Sequence, residues 1–147
     1  MQAYQHILFA TDFTDEALQV GARAKEIAQR YGARLSLVHV IEPVVVSPGY
    51  DLLPVLPEEL PDEALRASSQ EALRRLAERL EIQDAEQRVI TGVSTKEGIL
   101  EAVRELGADL IVIGSHGRHG LALLLGSTAN AVLHGAPCDV LAVRIHD

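Results

Sequence analysis

Asp109-Leu-Ile-Val-Ile-Gly-Ser-His-Gly-Arg-His-Gly-Leu-Ala-Leu-Leu-Leu-Gly-Ser-Thr-Ala-Asn130 is the stretch on which the reading of this chain turns. A β-branched run passes into a loop carrying Gly114, Gly117 and Gly120, and Gly126 is followed by two hydroxyl residues, Ser127 and Thr128, that open an amphipathic segment. The pattern predicts a strand, a flexible loop and the start of a helix. Glycines let a backbone approach a ligand closely, and hydroxyls at a helix N-terminus add donors to its free N–H groups and positive dipole end. An anion is the natural guest. The plainer reading is that these glycines serve tight turning and close helix packing, so the surrounding chain has to decide.

On the N-terminal side, His6-Ile-Leu-Phe-Ala-Thr-Asp12 reads as a short buried strand whose apolar centre stops at a carboxylate. From Asp15 to Tyr31 small and apolar residues recur at helical spacing, with Thr14 as the expected N-cap and Gly32 as the stop. Arg34-Leu-Ser-Leu-Val-His-Val-Ile41 is a second strand. His39 within it reads as a hydrogen-bonded structural residue, because no acidic or thiol partner stands at ligand spacing. Pro43 to Pro61 carries five of the six prolines, which excludes a regular helix or central strand there. With Val44-Val-Val46 and Leu52-Leu53, this connection is expected to pack over an edge or a partner, self-packing being the alternative.

Asp62 is expected to cap a helix to about Leu80, with Leu65, Leu73, Leu76 and Leu80 on one stripe and Arg74, Arg75, Glu78 and Arg79 on a solvated face. Gln87-Arg-Val-Ile-Thr-Gly92 is a short strand, and Ser94-Thr-Lys-Glu97 fits a capping box opening a helix to Leu106, closed by Gly107. Ala108 to Ile113 is a fourth strand, nearly continuous in hydrophobes as when both faces are covered. After the glycine loop come a helix from about Ser127 to His134 and a last strand, Asp139-Val-Leu-Ala-Val-Arg144. Strands alternating with helices imply an α/β, doubly wound, mostly parallel sheet with helices on both faces and right-handed crossovers. Such sheets bind ligands beyond the carboxyl ends of their strands, at the switch point in strand order. Asp12 and the Gly114 loop both stand at such ends.

The 147 residues predict one domain, 1–147, with a core of Val, Leu, Ile and Ala, since there are two Phe and no Trp. A net charge of −8 argues against general attraction to nucleic acid but leaves room for a local anion site. Cys138, the single cysteine, cannot form an intrachain disulfide and reads as a buried, inert thiol. No basic-then-apolar leader opens the sequence and no apolar run is long enough to span a bilayer, so membrane insertion is not expected and the cytoplasm is the expected location. His116 and His119 stand close together, yet no Cys or carboxylate completes a metal site beside them. No Ser-His-Asp or Cys-His pairing is legible, and no lysine stands in the glycine loop as a Walker A sequence requires.

Ile7-Leu-Phe-Ala-Thr-Asp12, Leu37-Val-His-Val-Ile41, Gly107-Ala-Asp-Leu-Ile-Val-Ile-Gly-Ser-His-Gly117, Gly126-Ser127 and Pro137-Cys-Asp-Val-Leu-Ala-Val-Arg144 together resemble the universal stress protein family over essentially the whole chain. The resemblance implies a five-stranded sheet in the order 3-2-1-4-5 and a homodimer joined through the last strand. Nucleotide-binding members carry Gly-x2-Gly-x9-Gly-(Ser/Thr). Here Gly114-Ser-His-Gly117 and Gly126-Ser127 match its two ends, but only eight residues separate Gly117 from Gly126, the spacing of the UspA-like branch whose best-known members lack the nucleotide signature.

Carried over by position, the resemblance implies that Asp12 binds ribose or the adenine edge and that Val40 offers backbone groups to adenine. Gly114, Ser115, His116 and Gly117 would surround ribose and phosphate, Arg118 would add charge, and Gly126, Ser127 and Thr128 would hold phosphates. The ligand implied is ATP or AMP, with Mg as an accompanying ion, in a cytoplasmic stress-response regulatory dimer rather than a catalyst. The alternative is a nucleotide-free protein-interaction module acting through its dimer surface and the 43–61 loop. Slow ATP hydrolysis, or autophosphorylation at Ser127 or Thr128, is a third reading.

Overall fold

In the computed structural model of the chain, which describes residues 3–42, 62–115 and 126–144, strands and helices alternate from end to end. The order is β1 (His6–Ala10), α1 (Ala17–Tyr31), β2 (Arg34–Ile41), α2 (Asp62–Arg79), β3 (Glu86–Thr91), α3 (Thr95–Leu106), β4 (Leu110–Gly114), α4 (Ser127–Gly135) and β5 (Asp139–Val143). The five strands form one sheet in the order β3-β2-β1-β4-β5. Every neighbouring pair is parallel, so the sheet is wholly rather than mostly parallel.

Side-chain alternation along the central strand divides the core in two. Ile7 and Phe9 pack with Leu37 and Val112 under α1 and α2, whereas Leu8 and Ala10 pack with Val38, Ile111 and Val132 under α3 and α4. Both faces of β1 are covered, and all five of its residues are buried. Gly32 and Gly107 close α1 and α3 with φ of +63° and +67°, a left-handed backbone that glycine adopts without a Cβ penalty.

Local expectations fare unevenly. Thr14 does not cap α1: the helix begins after Glu16, and the Thr14 carbonyl instead accepts the Ala17 N–H at 3.0 Å. The cause is the turn before it, where Phe13 takes φ +62° and the Thr14 N–H is drawn to Asp12 Oδ1 at 3.2 Å. The α2 stripe holds at Leu73, Leu76 and Leu80 but not at Leu65, which is 45% exposed. Arg66 fastens that first turn instead, donating to the Val89 carbonyl at 2.9 Å and to Thr91 Oγ1 at 3.4 Å. Ser94 caps α3 as expected, accepting the Glu97 N–H at 3.1 Å, while the Glu97 carboxylate lies 3.8 Å from Lys96 Nζ. Cys138 is half-buried rather than buried, and burial, helped by Asp139 and Asp109, pushes its thiol pKa up, so it is a poor nucleophile. The 43–61 connection lies outside the described residues, as does any cap formed by the Asp62 side chain.

At the amino end of the sheet, buried His6 is held through both ring nitrogens. Nδ1 donates to the Leu106 carbonyl at 3.1 Å, which leaves Nε2 to accept the Ser36 hydroxyl at 2.7 Å. Burial pushes the His6 pKa down, with Arg34 adding to the effect while the Leu106 carbonyl, Glu86 and Asp109 oppose it. The unfolded chain therefore binds a proton at His6 more readily than the native protein. Below a pH of about 6.5, the ordinary histidine value, stability falls as pH drops, until the native ring is protonated too. Urea unfolding between pH 7.5 and 5 is expected to show a steeper acid loss for the native protein than for His6→Gln. Equal pH profiles would contradict this.

Candidate functional site

The strand order reverses direction between β1 and β4. α1 carries the chain from β1 toward β2 and β3, and α3 returns it across the sheet to β4. The carboxyl ends of β1 and β4 therefore feed loops that diverge to opposite faces, leaving a crevice between them. Register decides what faces it. Ala10 pairs with Val38 and Phe9 with Val112, so Asp12 follows the end of β1 two residues beyond its pairing with β2, and Ser115 directly follows β4. Three of the residues singled out from sequence thus gather at the carboxyl ends of three adjacent strands, Val40 within β2 and Asp12 and Ser115 just beyond β1 and β4.

Asp12 is exposed. Its backbone setting is constrained on both sides. Thr11 N–H extends the ladder to the Val38 carbonyl at 3.0 Å, and Thr11 Oγ1 accepts the Phe13 N–H at 3.3 Å. His39 Nδ1 donates to the Thr11 carbonyl at 2.8 Å, and the His39 and Phe13 rings lie 4.2 Å apart at 31°. The structural reading of His39 holds. Val40 is buried on the opposite face of β2, against α3, where Gly98 has no side chain to obstruct it. Because β1 has ended at Ala10, β2 at Val40 keeps a strand neighbour only on the β3 side, through Ile90.

Beyond β4, Ser115 N–H donates to the Val143 carbonyl at 2.9 Å, and the Ser115 carbonyl accepts the Gly126 N–H at 2.5 Å. That second bond joins the two ends of the glycine segment. Its interior, with His116, Gly117 and Arg118, lies outside the described residues. Gly126 has φ −62° and ψ 155°, a conformation open to any residue, so turning does not account for glycine there. The first helical bond of α4 runs from Asn130 N–H to the Gly126 carbonyl at 2.9 Å. The N–H groups of Ser127, Thr128 and Ala129 precede it and have no acceptor within the helix.

The helix N-termini at this edge of the sheet differ in charge. Asp15 and Glu16 stand immediately before α1, and α2 opens with Asp62 and Glu63. At α3 the Glu42 carboxylate, from the end of β2, accepts the Thr95 N–H at 2.7 Å and the Thr95 hydroxyl at 2.5 Å. These bonds hold the Glu42 pKa below the ordinary carboxylate value. α4 has Gly126 as N-cap and no acidic residue in its first turn. Among the four, it is the end with no carboxylate of its own, and an anion is best placed there.

Sequence reasoning passed over Glu42 and Gly98. Gly98 had a readable signal, since glycine inside a helix costs about 1 kcal/mol against alanine and usually marks close packing. Glu42 had none, because its partner Thr95 is distant in the chain. No cluster of three or more His, Cys, Asp or Glu residues suited to a metal ion occurs among the described residues, and no helix there is long and apolar enough to cross a membrane.

Comparison with known proteins agrees with this architecture. The chain is 40% identical to universal stress protein A homolog 1 of Coxiella burnetii over 140 residues, covering 95% of this chain and 96% of that one. The solved structure of the universal stress protein UspA from Lactobacillus plantarum superposes with a TM-score of 0.76 at 30% identity, covering 96% and 98% of the two chains. A universal stress protein solved in complex with cAMP superposes with a TM-score of 0.70 at 27% identity, covering 97% and 98%. The family model of the universal stress proteins matches residues 3–144, and the chain belongs to the universal stress protein family.

Proposed function

We propose that the crevice between β1 and β4 binds an adenine nucleotide, AMP or ATP, and that the protein is a dimeric regulatory module of the stress response rather than a catalyst. The observation that carries this reading is the gathering of Val40, Asp12 and Ser115 at the carboxyl ends of adjacent strands β2, β1 and β4, beside a helix N-terminus free of carboxylates. Asp12 is suited to accept ribose hydroxyls, and the open edge of β2 at Val40 can hydrogen-bond an adenine edge. Gly114, Ser115, Gly126, Ser127 and Thr128 would receive ribose and phosphate, with His116, Gly117 and Arg118 completing the loop. The relative solved with cAMP supports an adenine ligand.

The shortened interval from 118 to 125 is the observation in favour of a nucleotide-free interaction module. Against it stands the bond between Ser115 and Gly126, which returns α4 to the crevice despite the missing residue. For the dimer, the two sheet edges differ. Edge strand β3 carries Glu86 and Arg88, with Arg88 tied to Glu105 at 2.8 Å and to Glu86 at 3.4 Å, charges that discourage pairing. Edge strand β5 is apolar after Asp139, and this favours it as the joining edge. Sedimentation equilibrium reads the association, and a monomer at high micromolar concentration would exclude it.

Isothermal calorimetry with AMP and with ATP, each with and without Mg, tests the site. Binding is expected, and Asp12→Asn should weaken it about tenfold by removing a charged acceptor. No heat at millimolar nucleotide in any titration would reject the proposal.

A further inference from the structure

The Asp12 turn holds a feature that nucleotide binding alone does not explain: a bulky aromatic residue, Phe13, in the left-handed region at φ +62°. For a residue with a Cβ this backbone is unfavourable and persists only where its surroundings impose it. His39 supplies that surrounding from β2. A carbonyl can only accept, so the 2.8 Å contact with the Thr11 carbonyl requires a proton on His39 Nδ1. The same ring stacks on Phe13, with centroids 4.2 Å apart. One imidazole therefore grips the residue before Asp12 through a hydrogen bond and the residue after it through a ring face. Between those grips the Asp12 carboxylate is turned back on its own loop, where Oδ1 accepts the Thr14 N–H.

We infer that His39 is a positioning residue for the crevice: it fixes the Asp12 carboxylate in its binding orientation by anchoring Thr11 and Phe13 to strand β2. The anchor lies on a strand paired along both sides up to Val38, so the loop borrows the rigidity of the sheet. A side chain on a loop of its own could not provide this. The inference rests on the nucleotide reading of the crevice, but the loop geometry can be tested without a nucleotide.

AMP titrations compare the native protein with His39→Leu, His39→Asn, Asp12→Asn and the Asp12→Asn/His39→Leu double variant, after thermal melts establish that each is folded. His39→Leu is expected to weaken AMP binding about tenfold, on the scale of one hydrogen bond that orders a binding group. His39→Asn can place an amide N–H near the Nδ1 position and should recover most of that loss. In the Asp12→Asn background, His39→Leu should cost less than about twofold, because the charge whose placement it fixes is gone. In nucleotide-free protein, the Thr14 amide should exchange with solvent faster in His39→Leu than in the native protein or His39→Asn. An undiminished tenfold loss in the Asp12→Asn background, or unchanged Thr14 exchange in His39→Leu, would overturn the inference. Should the native protein bind no AMP at millimolar concentration, the nucleotide reading fails, and Thr14 exchange still decides whether His39 holds the loop.

Discussion

Replacing Phe9 by alanine is expected to lower the stability of the protein by about 3–5 kcal/mol, the range for removing a fully buried aromatic ring. Phe9 is wholly buried at the middle of β1, in register with Leu37 on one side and Val112 on the other. Its ring lies against the backbone of α1 at Gly21, where an added Cβ would come within 2.9 Å of Phe9 Cε2. Truncation leaves a void whose wall at α1 is a glycine, so α1 has no side chain there to fill it, and the tip of Leu80 stands close enough to relax into only part of it. For a chain of this length, total stability is on the order of 7–15 kcal/mol, and the loss would move the melting temperature down by roughly 6–20 °C.

Gly21 also provides the control. A Cβ there is obstructed by the Phe9 ring and, at 2.4 Å, by Leu80 Cδ1, the far end of a flexible side chain. Once the ring is gone, Gly21→Ala fills part of the void. The Phe9→Ala/Gly21→Ala double variant should be less destabilised than the sum of its single changes. Urea unfolding followed by circular dichroism measures all three, and additive losses would show that ring and glycine are not coupled as the packing requires.

The fold was legible because period and punctuation agreed along the chain. Continuous hydrophobes at His6–Ala10 and Leu110–Gly114 marked strands buried on both faces, and Gly32 and Gly107 ended helices where left-handed backbone was needed. Where local chemistry competed with a tertiary contact, the reading missed. Thr14 has the side chain of an N-cap, but the turn forced by Phe13 and held by His39 uses its backbone elsewhere. Leu65 keeps the helical period of the α2 stripe, yet the fastening there is the reach of Arg66 to β3. The candidate site was legible only as separate pieces. Asp12 and Gly114 could be placed at strand ends from periodicity, whereas their gathering beside Val40 depends on strand order and register, which are set by packing across the sheet rather than by any one segment. Glu42 at the mouth of α3 could not be foreseen because its contact joins residues far apart in sequence.

Gly98→Ala is expected to destabilise the protein by about 1–3 kcal/mol, although the same change in an exposed helix would stabilise it by about 1 kcal/mol. The difference lies in what a Cβ meets. At Gly98 it would fall 2.6 and 2.7 Å from the two γ-methyls of Val40 and 3.2 Å from its Cβ. A β-branched side chain in a strand has little rotamer freedom, and turning χ1 only exchanges one methyl for another, so α3 or β2 must shift. The shift would be felt at the crevice, because the same two elements carry Val40 at its rim and the Glu42–Thr95 contact. On the nucleotide reading, Gly98→Ala should weaken AMP binding at temperatures where the variant is still folded. Val40→Ala removes both opposing methyls, so the Gly98→Ala/Val40→Ala pair should be more stable than the sum of the single losses by more than about 0.5 kcal/mol, the usual error of additivity. Thermal and urea unfolding of the four proteins measures the coupling. If Gly98→Ala alone raises the melting temperature, helix propensity outweighs the contact, and Gly98 is not the residue that sets the distance between α3 and β2.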